Sequence, residues 1–363
     1  MFQNSVQGEL IEGDNKIVLA DIIAAGTKIT CAYIDPPYNN FENFEHYNDS
    51  QNFDVWLDEI VFVAEKIKKL LLNHGSFWVS IDDANMHYLK VALDRVFGKQ
   101  NFITTIVWEH RKSRENRAVF SNNHEYILVY AVEKKAFTKY RNKLPYTKEW
   151  RNRFKNPDND PRGPWQSVSA TAQAGHATPK QFYEVLSPLG LKHSPPNGRC
   201  WSLSKEKMNL LIKKGEIYFG KDGKGVPRVK KYLANAIGGL TPQTLWTADE
   251  VGTTASAKKH ILQMFVGSKI FETPKPEELI ARVISIATKP GDLVLDAYLG
   301  SGTTASVAHK LGRNYIGIEL GEQIATHCVE RLKSVCAGEA GGISKEVGWT
   351  GGGNFQLVKS KVA

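Results

Sequence analysis

The chain has 363 residues, of which 42% are hydrophobic and 23% charged, and its formal net charge is +9. This length accommodates two or three domains, or one domain with a large insertion, and the apolar fraction suffices for a packed core, which excludes a wholly disordered protein. No run reaches the roughly 18 consecutive apolar residues that a membrane-spanning helix needs.

The cysteines and histidines favour a reduced protein without a metal centre. The 4 cysteines lack C-x-x-C spacing, and the 10 histidines lack H-x-x-x-H and H-E-x-x-H spacing, so we expect neither zinc nor a disulfide framework. Residues 1–20 lack the basic segment followed by an apolar segment that is typical of a secretory signal. The predicted location is therefore the cytoplasm.

Residues 1–133 alternate between strand-like and helix-like patterns. Apolar runs predict strands at 31–34, 77–81 and 125–131. Apolar residues at helical spacing predict a helix from Trp56 to Leu72, ended by Asn73 and Gly75. Strands separated by helices of this length predict a parallel α/β sheet.

The segment 134–257 has a different composition and is predicted to be an insertion or a second domain. Between Lys134 and Leu240 there are 22 Lys and Arg against 7 Asp and Glu, so the rest of the chain is net acidic. Such a basic segment fits a polyanion such as nucleic acid, and it also fits a solvated lysine-rich face. Weak periodicity predicts short strands around a small core, which we expect to contain most of the segment's tryptophans.

Regular patterns return in 258–363. Pro276 is predicted to open a helix, and Leu293–Asp296 is predicted to be a strand. A glycine loop and a helix through Lys310 follow, and then a strand over Tyr315–Glu319. The glycine-rich stretch 338–353 indicates no particular chemistry.

The glycine loop predicts a nucleoside-binding site. Gly300 and Gly302 let the backbone pass close to a ligand, ahead of a helix with free N–H groups, and Glu319 ends the next strand, where a carboxylate can accept both ribose hydroxyl protons. The loop is neither G-x-G-x-x-G nor G-x-x-x-x-G-K-[ST], which disfavours a dinucleotide and a nucleoside triphosphate. Asp296 at the strand tip favours a cationic ligand, and S-adenosylmethionine offers an ammonium, a sulfonium and a ribose.

The sequence Asp35-Pro36-Pro37-Tyr38-Asn39 ends its own strand and suits an exocyclic amine. Asp35 can accept one hydrogen bond from the NH₂ group, and the Pro36 carbonyl can accept the other, which biases the nitrogen lone pair towards a methyl donor. The prolines make the turn rigid. Tyr38 offers a ring on which an unpaired base can stack.

These two motifs resemble those of amino-group DNA methyltransferases. Asp35–Asn39 looks like their D-P-P-Y motif and Asp296–Thr304 like their cofactor loop, and the order along the chain resembles the β class. Further stretches are similar to the modification (Mod) subunits of type III restriction-modification systems: Tyr47–Asp49, Trp56–Leu57, Val79–Asp83, Val107–Trp108, His124–Tyr130, Arg162–Trp165, Thr273–Glu277 and Gly342–Lys345.

The resemblance implies a Rossmann-like, S-adenosylmethionine-dependent methyltransferase sheet of the seven-stranded type, circularly permuted. Its catalytic half would be 1–133 and its cofactor half 258–363, with 134–257 inserted as a DNA target-recognition domain. The implied catalytic residues are Asp35, Pro36, Pro37 and Tyr38. The implied cofactor-binding residues are Asp296, Tyr298, Gly300, Gly302, Thr303 and Glu319, with Lys275 and Pro276 near the methionine end. Two mild departures are Tyr298, where the family usually has Phe, and Ala297, where proline is common.

The expected activity is site-specific methylation of the N6 amine of adenine in double-stranded DNA, with the base flipped out of the duplex. N4-cytosine is chemically close, although an aspartate-led motif followed by asparagine favours adenine in the family. Two further hypotheses stay open: RNA as the substrate, and a non-catalytic DNA-binding specificity or anti-restriction subunit. The resemblance also allows a homodimer, a restriction subunit as partner, and a bacterial or phage origin.

Overall fold

The computed structural model describes residues 7–40, 51–265, 273–321 and 323–360 of the chain. The family-like stretch Tyr47–Asp49 lies outside these residues. In the ranges that the structure describes, every helix is too short or too polar to cross a membrane.

The described residues form sixteen strands and twelve α-helices. In chain order the strands are β1 (Gly8–Glu12), β2 (Ile29–Ile34), β3 (Leu71–Ile81), β4 (Phe102–Glu109), β5 (His124–Ala131), β6 (Trp165–Ser169), β7 (Thr171–Gln173), β8 (Val185–Leu186), β9 (Lys192–His193), β10 (Arg199–Trp201), β11 (Ile217–Tyr218), β12 (Arg228–Tyr232), β13 (Leu245–Trp246), β14 (Leu293–Asp296), β15 (Asn314–Glu319) and β16 (Phe355–Lys359). The helices are α1 (Asn15–Ala24), α2 (Phe53–Leu70), α3 (Met86–Phe97), α4 (Lys134–Tyr140), α5 (Lys148–Arg151), α6 (Lys205–Lys213), α7 (Ala248–Val251), α8 (Thr254–Met264), α9 (Glu277–Ala287), α10 (Thr303–Lys310), α11 (Glu330–Cys336) and α12 (Ser344–Val347).

The chain divides into two compact units. One combines Met1–Asn142 with Pro242–Ala363, and the other is Lys143–Thr241. The inserted segment predicted from composition, 134–257, is wider than the second unit at both ends. Two elements explain the difference: α4 packs against β3, and β13 pairs in parallel with β4, so both belong to the larger unit despite their position in the sequence.

The larger unit contains a sheet of nine strands in the order β13-β4-β5-β3-β2-β14-β15-β1-β16. Of the strands predicted from the sequence, β2, β3, β14 and β15 run parallel as expected, whereas β5 is antiparallel to both β3 and β4. The prediction that β5 is parallel was wrong because β4 and β5 are joined as a hairpin, with Glu109 opposite His124, and no crossover helix separates them.

Strands β2 and β14 are neighbours although they come from opposite ends of the sequence. They pair in parallel, with Val294 beside Cys31 and Leu295 beside Ala32. Asp35, which follows β2, and Asp296, which ends β14, therefore lie at the same edge of the sheet. This arrangement confirms the permuted order inferred from the sequence.

Helices α1, α2 and α3 pack on the central strands through one apolar core. Alternate residues of the strands contribute to it, among them Ala32 and Ile34 of β2 and Phe77 and Val79 of β3. Helix α2 begins at an Asn52 cap, whose side chain accepts from the Asp54 N–H at 3.0 Å. It ends at Leu70, not at the predicted Asn73 and Gly75, because those residues already lie in β3.

The smaller unit, Lys143–Thr241, is built from short strands, as predicted. Strands β11, β12 and β6 form one small sheet, and the core contains Trp201 and Met208, both fully buried. Trp165 is also buried, but Trp246 is buried in β13 of the larger unit, so two of the segment's four tryptophans are buried in the smaller unit. Trp150 is half-buried and stacks on Tyr146 with ring centroids 3.8 Å apart.

Candidate active site

A pocket of about 570 Å³ opens at the carboxyl edge of the large sheet. This position follows from the topology, since loops at the carboxyl ends of parallel strands form the ligand sites of open α/β sheets. Ten of the twelve residues predicted for the site line it: Asp35, Pro36, Pro37, Tyr38, Lys275, Asp296, Tyr298, Gly300, Thr303 and Glu319. The other two, Pro276 and Gly302, are buried and adjoin the lining residues Lys275 and Thr303 in the sequence.

The Asp35–Tyr38 turn is fixed by one side chain of α2 and by the side chain of the residue that precedes α3. Trp56 Nε1 donates to the Pro37 carbonyl at 2.7 Å, and Asn85 Nδ2 donates to the Tyr38 carbonyl at 2.8 Å. Asn39 then takes a left-handed backbone conformation with φ of 55°. These contacts hold the turn in one conformation at the carboxyl end of β2.

Tyr38 is oriented by two carboxylates. Its hydroxyl lies 2.9 Å from Asp35 Oδ1 and 3.0 Å from Glu125 Oε2, so its proton is shared between the two acceptors. Burial and these two neighbouring carboxylates raise the pKa of Tyr38 well above its ordinary value, which keeps the phenol neutral. The ring is thereby held by its hydroxyl end.

Lys275 completes this group with a buried ammonium. Its Nζ lies 3.0 Å from Asp35 Oδ2, 3.2 Å from Glu125 Oε2 and 3.0 Å from the Tyr38 hydroxyl. Burial favours the neutral amine, but the two carboxylates outweigh it and raise the pKa of Lys275 above its ordinary value. The resemblance assigned Lys275 to the cofactor, and the structure brings its ammonium to Asp35, the residue expected to be catalytic.

The pKa of the Asp35 carboxyl depends on effects of opposite sign. Burial raises the pKa of the Asp35 carboxyl, and so does the nearby Glu125 charge, while Lys275 lowers it by charge and by hydrogen bonding. The net effect is a pKa above the ordinary value. Lys275 therefore limits how far the burial of Asp35 favours its protonated form.

The glycine loop joins β14 to α10. Asp296 Oδ1 accepts from the Tyr298 N–H at 3.0 Å, and burial raises the pKa of Asp296 well above its ordinary value. Gly300 donates its N–H to Glu319 Oε2 at 2.5 Å, which ties the loop to the end of β15. Glu319 also accepts from the Leu320 N–H at 3.2 Å and from Gln323 Nε2 at 2.6 Å, so its carboxylate is held in place at the end of β15.

Gly302 has a backbone role. It caps α10 with φ of 78°, and a Cβ at this position would lie 3.2 Å from Cys328 Cα. The next residue, Thr303, donates its hydroxyl to the Lys275 carbonyl at 3.2 Å and so links the glycine loop to the lysine segment. Pro276 supports that segment as the residue before α9, as predicted from the sequence.

Glu125 is the main site residue that the sequence analysis missed. The strand containing it was predicted to be parallel, which would have placed Glu125 at the opposite edge of the sheet. Because β5 is antiparallel, its first residues lie at the carboxyl edge with Asp35. His110, at the end of β4, faces Glu125 with Nδ1 3.7 Å from Oε1, and burial lowers the pKa of His110.

Comparison with known proteins gives the following matches. Residues 29–330 match the family model N6_N4_Mtase, described as DNA methylase. The chain is 30% identical to the HindVI Mod subunit of Haemophilus influenzae, over 95% of this chain and 53% of that protein. It is also 30% identical to the type III restriction-modification enzyme StyLTI Mod subunit of Salmonella typhimurium, over 81% of this chain and 48% of that protein. The chain thus spans about half the length of these two relatives.

This chain spans a larger share of the length of two other proteins that it matches. The type II methyltransferase M.KpnI of Klebsiella pneumoniae is 29% identical, over 84% of this chain and 77% of that protein. Among solved structures, the chain is similar to TTHA0409 of Thermus thermophilus, crystallised with S-adenosyl-L-methionine. That similarity has a TM-score of 0.47 with 17% identity, and it covers 97% of this chain and 99% of TTHA0409.

Proposed function

The chain belongs to the N6_N4_Mtase family of DNA methylases, and from this premise we propose that it transfers a methyl group from S-adenosyl-L-methionine to the N6 amine of adenine in a specific DNA sequence. The observation that carries the proposal is that the Asp35–Tyr38 turn and the Asp296–Thr303 loop line one pocket. An amine acceptor site and a nucleoside site must adjoin if a methyl group is to pass between them.

The residues around the glycine loop fit S-adenosyl-L-methionine. Asp296 and Glu319 supply carboxylates in the pocket, and the start of α10 supplies backbone N–H groups. We assign Glu319 to the ribose hydroxyls and Asp296 to the cationic part of the ligand, with Tyr298, Gly300 and Thr303 in the surrounding wall. When bound, the cofactor supplies a methyl group on a positively charged sulfur.

Asp35 and the Pro36 carbonyl are proposed to accept the two hydrogens of the adenine amine. Fixing both hydrogens leaves the nitrogen lone pair directed at the methyl carbon, so the chain contributes mainly by positioning. As the N–C bond replaces the S–C bond, a neutral thioether is left and the amine releases one proton, which ionised Asp35 is placed to accept. Lys275 supports this role because its charge opposes the protonation of Asp35, and a protonated carboxyl would be a poorer acceptor. Tyr38 is proposed to stack on the base, with its ring held by Asp35 and Glu125.

The target base has to leave the duplex to reach Asp35. We propose double-stranded DNA as the substrate and the unit Lys143–Thr241 as the target-recognition domain, in which 18 Lys and Arg stand against 7 Asp and Glu. The Mod relatives are subunits of restriction-modification enzymes, so a restriction subunit is a proposed partner, and a second copy of the chain is another.

The decisive experiment is to express the chain in a host without DNA methylation and to map methylated bases by single-molecule sequencing. We expect N6-methyladenine at one recurring motif, and none with Asp35→Asn. N4-methylcytosine would retain the mechanism and overturn the base assignment. Cofactor binding without any mark on DNA or RNA would favour a non-catalytic DNA-binding subunit.

A further inference from the structure

The hairpin loop between β4 and β5, residues 110–123, lies at the same sheet edge as the pocket. This follows from the direction of β5: β4 ends and β5 begins at the carboxyl edge of the sheet. His110 and Asn122, at the two ends of the loop, line the pocket. The two ends of the loop are therefore part of the pocket wall.

The base of the loop is tied together by hydrogen bonds. Asn123 Nδ2 donates to the carbonyls of Arg111 and Ser113, both at 2.9 Å. The Glu115 N–H donates to Ser121 Oγ at 2.9 Å, and the Ala118 N–H to the Glu115 carbonyl at 3.3 Å. These bonds fold the loop so that the two residues after Ala118, Val119 and Phe120, lie at the tip of the loop.

Those two residues are large, apolar and exposed. Val119 is 95% exposed and Phe120 is 89% exposed. Two adjacent apolar side chains at such exposure are unfavourable in water, and they indicate a surface that is covered when a partner binds.

The charge around the pair identifies the partner. Residues 111–120 contain Arg111, Lys112, Arg114 and Arg117 against the single acid Glu115. Arg111 pairs with Glu115 and Lys112 with Asp249, while Arg114 and Arg117 are exposed. A cationic loop with an apolar tip beside the pocket matches a nucleic acid duplex, whose phosphates are anionic and whose base steps are apolar.

We propose that this loop enters the DNA duplex, with Val119 and Phe120 filling the gap left by the extruded base. The inference rests on the proposed function and adds the element that holds the base outside the stack. Apolar side chains inserted between base steps compensate for lost stacking, and cations on either side contact phosphates. The loop would thus stabilise the flipped state and leave the chemistry to the pocket.

The test compares two DNA duplexes with the same recognition motif. In one the target adenine is paired with thymine, and in the other it faces an abasic site, so that extrusion costs less. We expect Phe120→Ala to lower kcat/KM at least about tenfold on the paired duplex and less than about twofold on the abasic one. Phe120→Leu, which keeps an apolar tip, should restore most of the activity on the paired duplex.

Val91→Ala is the matched control, because Val91 is 57% exposed on α3 of the same unit. A second readout, the fluorescence of 2-aminopurine at the target position, reports extrusion without turnover and should fall with Phe120→Ala. Equal losses on both duplexes, or no loss on either, would overturn the inference. Wild-type protein that methylates neither duplex while binding the cofactor would instead contradict the proposed function.

Discussion

The carboxylate of Asp35 contacts two other side chains of the pocket, and these contacts predict the effect of each substitution. Its two oxygens face Lys275 and Tyr38 at 3.0 and 2.9 Å. Asp296, which is assigned to the cofactor, belongs to a different strand and loop. The two functions proposed for the pocket, base capture and cofactor binding, should therefore be separable by single substitutions.

For Asp35→Asn we expect methyl transfer to fall on the order of a hundredfold or more, because an amide that presents its NH₂ group cannot accept from the adenine amine. The affinity for S-adenosyl-L-methionine should change little. Single-turnover methylation and calorimetry measure the two effects. Loss of cofactor binding together with activity would instead place Asp35 in the cofactor site.

Lys275 should control the acid limb of the pH profile. The reaction as proposed needs ionised Asp35, so kcat should fall as the pH drops through the raised pKa of this group. Lys275 lowers that pKa, so Lys275→Gln should raise it further and shift the acid limb to higher pH. Lys333→Gln, which removes an exposed lysine paired with Glu330, is the control and should leave the profile unchanged. An unshifted limb in Lys275→Gln would contradict the coupling.

At the level of secondary-structure elements, the composition of the site depends on which strand ends lie at the pocket edge of the sheet. The sequence predicted β2, β14 and β15 closely, and it predicted that their loops share one edge, because apolar runs that end in acidic or proline-containing turns are a local pattern. The direction of β5 is not a local property. It depends on a fourteen-residue hairpin loop whose length alone does not exclude a crossover. Glu125 was missed for this reason, and so was the position of the exposed Phe120.

The glycine loop gives a prediction at the same scale. Gly302 has positive φ and faces Cys328, with 3.2 Å to its Cα, while Gly312 has positive φ of 68° and no atom within 4 Å of an added Cβ. Gly312→Ala should therefore lower the free energy of unfolding by about 1 kcal/mol through backbone strain alone. Gly302→Ala should cost more and also weaken cofactor binding. Urea denaturation with and without cofactor measures both, and equal costs would show that crowding at Cys328 is unimportant.

At the scale of the whole molecule, the two units differ in net charge. The unit Lys143–Thr241 is strongly basic, whereas the larger unit is net acidic and has several carboxylates at the pocket.

The segment that contains Lys275 connects the pocket to the interior of the larger unit. Lys275 lines the pocket, and Glu277, two residues later, is buried. Glu277 binds Arg331 at 2.9 Å and Lys310 at 2.7 Å, and Lys310 also pairs with Glu339. Three helices, α9, α10 and α11, and the segment after α11 meet at this cluster.

This cluster should make the stability of the fold sensitive to acid. Burial alone would raise the pKa of Glu277, but Arg331, Lys310 and His260 outweigh it and lower the pKa to about 2. A lowered folded-state pKa stabilises the fold above the unfolded value near 4.5, and this contribution, on the order of 3 kcal/mol, is lost as the pH falls from about 5 towards 2. Glu277→Gln should lower the stability at pH 7 and reduce its dependence on pH over that interval, because the titrating group is gone while Lys310 and Arg331 stay buried. Thermal unfolding of both proteins from pH 7 to pH 3 measures this difference. Parallel curves for the two proteins would mean that the cluster does not govern acid stability.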